Sequence, residues 1–171
     1  MTDGSARRYY RAMEGRWRGR LALTIDLGAL ATASLGTFDR LAWRFSAWSG
    51  RALGPPWLET SVDATGDAVI HTTRVRQLGA SAASGLETIT IDPDGRRFVL
   101  RGTHRFAWAP WRGRPVEGTG EVAEDARGAR YAFDYLGARL VQTTRVEGEA
   151  LVVRQETAFS LGEARLERVA R

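Results

Sequence analysis

Residues 14–27 alternate almost without interruption. Trp17, Gly19, Leu21, Leu23, Ile25 and Leu27 fall on one side, and Arg16, Arg18, Arg20, Ala22, Thr24 and Asp26 on the other. A period of two is what a strand with one buried and one wet face requires, and it is incompatible with a helix of period 3.6. Most of the remaining chain repeats the pattern, broken at short intervals by turn chemistry. Strands are expected at 38–48, 57–64, 68–77, 86–91, 96–108, 116–124, 129–136, 139–146 and 151–160. Residues 163–169 read as a last strand or a short helix. Asp92-Pro93-Asp94-Gly95 is the clearest turn, because Pro93 pre-sets the bend and Gly95 takes the left-handed position. Residues 65–67 are expected to form a second turn. Residues 5–14 read as a short helix ended by Gly15. Residues 28–37 suit a loop or one helical turn, and 49–56, 79–85 and 109–115 suit loops.

About nine or ten sequential strands imply an all-β chain, an antiparallel up-and-down barrel whose closure removes exposed edges. A two-sheet sandwich is the structural alternative. At 171 residues the chain is expected to be one domain, 1–171, with residues 1–14 as a helical lead-in. No apolar run approaches the ~20 residues of a membrane-spanning helix. No secretory signal is visible, so a cytoplasmic location is expected. The absence of cysteine excludes disulfides and thiolate chemistry. With only His71 and His104, no metal site is expected, and no Walker or Rossmann glycine pattern calls for a nucleotide cofactor. The net charge of +5 comes from 25 basic residues, all arginine, which alternate with apolar residues and are interspersed with acids. That is the outer face of a barrel and not a nucleic-acid-binding arm. The assembly is expected to be a monomer or homodimer.

The short helix leading into Gly15-Arg16-Trp17 at the head of a long amphipathic strand resembles the Gly-x-Trp opening of the lipocalin and calycin barrels. The resemblance implies a Trp packed at the closed end under an Arg from the C-terminus, here Arg165 or Arg168. It also implies a cup for a small apolar molecule. The heme-binding relatives of this class rely on a C-terminal His, and this chain has none after His104.

Candidate site residues follow from parity. His104 shares a face with Phe98, Leu100, Phe106 and Trp108, where an imidazole can shuttle a proton, fix a ligand's polar end, or simply bond a neighbour in the core. His71 shares parity with Val69, Thr73 and Val75, which leaves its face open. Tyr131, Phe133 and Tyr135 alternate, and Gln142 and Gln155 place amides on apolar faces. Among the acids, Glu59, Asp63 or Glu87 would act as a base of raised pKa if buried beside His104. Trp108 and Trp111, interleaved with Arg112 and Arg114, suit a rim around one end.

The first functional reading is binding of a small hydrophobic or amphipathic molecule. Its walls would be Trp43, Phe45, Phe98, Leu100, Phe106, Trp108, Trp111, Tyr131, Gln142 and Gln155. The second is a cofactor-independent cyclase, isomerase or dehydratase acting on a polyketide- or terpenoid-like substrate through His104, Tyr135 and Glu87. A polar pair converging deep in the cavity would favour the second. A filled barrel serving only as an interaction module is the third reading.

Overall fold

The computed structural model describes residues 4–65, 68–107 and 109–170. Helix α1 (Ser5–Met13) leads into β1 (Gly15–Ile25), and helices α2 (Leu27–Thr32) and α3 (Thr37–Leu53) follow. Strands β2 (Trp57–Asp63), β3 (Val69–Gln77), β4 (Ala80–Ile91), β5 (Arg97–Phe106) and β6 (Ala109–Val122) come next. Strands β7 (Gly128–Tyr135), β8 (Ala138–Glu147), β9 (Ala150–Glu156) and β10 (Ser160–Arg168) complete the chain. Each strand from β2 to β10 pairs antiparallel with its sequence neighbour. Residues Gly15 to Arg20 of β1 pair with β2 on one side, and Trp17, Arg18 and Leu21 to Ile25 pair with β10 on the other, which closes the barrel. This is the closed up-and-down barrel, not the sandwich.

Alternation delivers the inside and the outside. Along β5, Phe98, Leu100, His104 and Phe106 are buried while Arg101 and Arg105 face water. Where an aromatic ring on one strand needs space, its neighbour is glycine. A Cβ on Gly120 would sit 2.4 Å from the Phe98 ring and 2.5 Å from Tyr131 Cβ.

One end is plugged by α1, whose Ala6, Tyr9, Tyr10 and Met13 are buried. Tyr10 stacks edge-on against Phe98, and the Ala6 amide donates to the Gly95 carbonyl at 2.9 Å. The Asp92–Gly95 turn thus doubles as the dock for the helix. Trp17 closes the same end. Its indole N–H donates to the Met13 carbonyl at 2.7 Å, and the Arg168 guanidinium lies 4.2 Å above its ring. Arg168 also donates to the Ala12 carbonyl at 2.9 Å. Of the two arginines suggested by resemblance, Arg168 covers Trp17, whereas Arg165 pairs with Glu147 on the surface.

Four expectations are corrected. Residues 38–48 are not a strand, and 49–53 are not a loop; both belong to α3. The apparent alternation arises because this helix carries apolar residues on two faces: Ala42 and Trp43 pack inward, while Phe38, Leu41, Phe45 and Trp48 remain exposed. Gly36 and Gly54 bound it. Residues 79–85 are not a flexible loop, since β4 begins at Ala80, directly after a tight turn in which Leu78 and Gly79 both have positive φ. Backbone pairing with β3 needs no large side chains, and their small size leaves room inside the barrel. Likewise 109–115 belongs to β6, and the tail forms β10. Trp108 and the side chain of Trp111 lie outside the described residues.

Candidate active site and ligand cavity

The end of the barrel opposite α1 is covered by α2 and α3. Asp26 caps α2 by accepting from the Gly28 and Ala29 amides at 2.9 and 3.0 Å, which turns the chain off β1 and across the mouth. Trp43 anchors α3 there. It packs edge-on against Tyr135 and Phe159, and its indole N–H donates to the Leu136 carbonyl at 3.2 Å.

Between this lid and the plugged end lies a cavity of about 410 Å³. Its apolar wall includes Leu21, Leu58, Val75, Phe106, Phe133 and Leu140, and the small residues Ala82, Ala83 and Ser84 give it width.

A chain of buried polar groups crosses the wall. Thr60 Oγ1 lies 2.7 Å from His71 Nε2, His71 Nδ1 lies 2.6 Å from Glu87 Oε2, and Glu87 Oε1 lies 2.5 Å from His104 Nε2. Strand register assembles it. His71 sits directly opposite Glu87 on β3 and β4, and Gly85, two residues before Glu87, sits opposite His104 on β5. Gly85 is required by this packing, because a Cβ there would lie 2.8 Å from His104 Nε2.

An ionised carboxylate only accepts, so the two facing imidazole nitrogens carry the protons. Burial pushes the Glu87 carboxyl up. The charge of His71 and the hydrogen bonds from His104 and His71 more than reverse this and bring it to about 2. The expectation of a raised carboxyl is therefore corrected: two imidazole donors outweigh desolvation. In the neutral imidazole, His104 Nδ1 is an acceptor, and it has no partner among the described residues. The ring is held edge-on by Phe133 and Tyr135.

A second polar group completes the wall. Gln155 Nε2 donates to Gln142 Oε1 at 2.8 Å, and the Gln142 amide in turn donates to the Tyr131 hydroxyl. Tyr131 therefore has its own proton to give. Tyr135 lines the cavity, and its hydroxyl has no hydrogen-bond partner among the described residues. Burial raises both phenols well above the ordinary tyrosine range, so both stay protonated.

The cavity brings together Trp43, Phe45, Glu87, His104, Phe106, Tyr131, Tyr135, Gln142 and Gln155. Phe98 and Leu100 are not in its wall. They lie in the packed core beneath α1, because they stand further along β5 toward the plugged end. Trp43 and Phe45 reach the cavity from a helix. Glu59 and Asp63 point outward, Glu59 toward Arg18 at 3.3 Å. Thr60 and His71 carry the polar chain beyond Glu87, and parity alone left His71 unresolved. Among the described residues no group of three His, Asp or Glu side chains converges as metal ligands. No helix among them is long and apolar enough to cross a membrane.

No protein-family model matches the sequence, and no curated protein matches it. Among solved structures, the barrel is similar to the REP1-NXSQ fatty acid transporter, with a TM-score of 0.54 and 9% identity, covering 94% of this chain and 98% of that one. It is also similar to a Schistosoma mansoni fatty acid binding protein in complex with arachidonic acid (TM-score 0.56, 10% identity, 95% and 99% covered). A third similar structure is a zebrafish ileal bile acid-binding protein complexed with cholic acid (TM-score 0.51, 12% identity, 92% and 99% covered). At these identities the likeness is one of fold, that of a closed ten-stranded antiparallel up-and-down barrel.

Proposed function

We propose that the barrel binds a small hydrophobic or amphipathic molecule in its interior. The observation that carries this reading is the 410 Å³ cavity, apolar over most of its wall and crossed by the Thr60–His71–Glu87–His104 chain. Each methylene taken from water into such a wall contributes about 0.8 kcal/mol, and a few convergent polar groups set orientation. Two barrels of like fold, a fatty acid binding protein in complex with arachidonic acid and a bile acid-binding protein complexed with cholic acid, support the same use of the interior. Native mass spectrometry of the gently purified chain, compared with its denatured mass, tests the reading. A removable small-molecule adduct, or saturable uptake of a neutral apolar fluorophore, is expected. A bare chain that takes up no such probe would overturn it. His104→Gln is expected to change ligand preference by about tenfold or more, with a stability loss no greater than that of one hydrogen bond to a charged group, about 1.5–3 kcal/mol.

A second reading is favoured by one specific observation, the pairing of His104 with Glu87 at the cavity wall. A carboxylate that fixes the tautomer of an imidazole leaves the other nitrogen as a base, and Tyr135 is placed beside it as an acid. This arrangement suits cofactor-independent cyclisation, isomerisation or dehydration of a polyketide- or terpenoid-like substrate. Under this reading, turnover is lost in both His104→Gln and Glu87→Gln while affinity for an apolar probe is retained.

A further inference from the structure

We infer, resting on the binding reading above, that the occupant is an uncharged amphiphile whose polar end is a hydroxyl, and not a carboxylate. The ionisable groups of the cavity wall among the described residues are His71, Glu87, His104, Tyr131 and Tyr135, and no arginine is among them. The chain has 25 basic residues, all arginine. Strand parity turns those flanking the site, such as Arg74, Arg101, Arg105 and Arg139, outward to solvent. Glu87 is already a buried anion with both oxygens committed to imidazole N–H groups. The imidazole N–H groups that face Glu87 are already spent on it, so a carboxylate ligand would bring a second anion into the same space with no guanidinium to meet it, and like charges away from water repel strongly.

A hydroxyl fits what remains. It both donates and accepts, and the groups beside Glu87 include both a free acceptor and a free donor. His104 Nδ1 accepts, its other nitrogen being held by Glu87, while the Tyr135 hydroxyl, beside the His104 ring, donates. Tyr131 supplies a second free proton, since the Gln142 amide already fills its acceptor side.

The test uses the full chain at neutral pH with aminoanthracene, a neutral fluorophore, displaced in turn by decanol, decanoate and decyl methyl ether. The three ligands share one alkyl tail and differ only at the polar end. Decanol is expected to displace the probe at a concentration about tenfold lower than either of the others. In Glu87→Gln, decanoate is expected to gain at least as much relative to decanol. Decanoate matching or exceeding decanol on the unaltered chain overturns the inference and leaves interior binding intact. An ether equal to the alcohol overturns the assignment of a donated hydroxyl proton. A chain that binds neither fluorophore nor any of the three ligands overturns the binding reading and this inference together. The comparison on the unaltered chain stands whether or not the variant folds.

Discussion

Glu87 is a buried carboxylate bonded to two imidazoles. Its carboxyl is lowered from 4.5 to about 2 in the folded chain. A depressed carboxyl stabilises the fold fully above its unfolded value and loses that contribution as pH falls through the folded one. The expected outcome is a stability loss of a few kcal/mol between about pH 4.5 and pH 2. Urea unfolding at a series of pH values checks this, and Glu87→Gln should flatten that limb of the curve. Gly85 offers an independent probe of the same site. Alanine there would meet the His104 ring at 2.8 Å, and the ring must swing away from Glu87. Loss of a hydrogen bond to a charged group costs about 1.5–3 kcal/mol. Proton NMR of Gly85→Ala should accordingly lose the hydrogen-bonded imidazole N–H signal of His104.

The two helical ends of the barrel have different jobs, and their residues should separate them. At the plugged end Tyr10 packs against Tyr9 and Phe98 and lines no part of the large cavity. Tyr10→Ala is expected to cost about 3–5 kcal/mol of stability, as large-to-small core changes do, with probe affinity nearly unchanged. At the covered end Trp43 holds α3 over the mouth through Tyr135, Phe159 and the Leu136 carbonyl. Trp43→Ala should loosen that cover, so that stopped-flow dissociation of a bound fluorophore accelerates about tenfold or more. An equal dissociation rate in the two variants would mean that α3 does not control access.

Considered as a whole, the barrel is a series of local hairpins from β2 to β10, joined by β1, which pairs with β2 across the two helices and with the distant β10. Every hairpin forms between neighbours in sequence, but closure joins residues such as Trp17 and Arg168. Arg168 then locks the seam by covering Trp17 and binding the end of α1. Removing β10 opens two edges at once, on β1 and β9, and unpaired edges recruit other chains. A chain ending before residue 160 is expected to lose its cooperative urea transition and to associate in size-exclusion chromatography. The intact chain should unfold in a single transition. Its refolding should be slow for its size, limited by the long-range closure.

Strand after strand was legible in the sequence because a half-buried strand writes its two faces into alternate residues. The inward parity of His104, Tyr131, Gln142 and Gln155 could be read the same way. The chain from 38 to 48 misled because a helix with apolar residues on both faces imitates that alternation, and only its packing over the mouth distinguishes the two. The barrel's closure, the depth at which Phe98 and Leu100 stand, and the Thr60–His71–Glu87–His104 chain were decided by tertiary structure. Parity says which side a residue faces, but not which residues on neighbouring strands face it. His71 meets Glu87 because β3 and β4 pair in one register, and Glu87 meets His104 because Gly85 leaves the ring its place. Single strands determine orientation through the geometry of the pleat, whereas the site's chemistry depends on distances between strands, and those exist only once the sheet has closed.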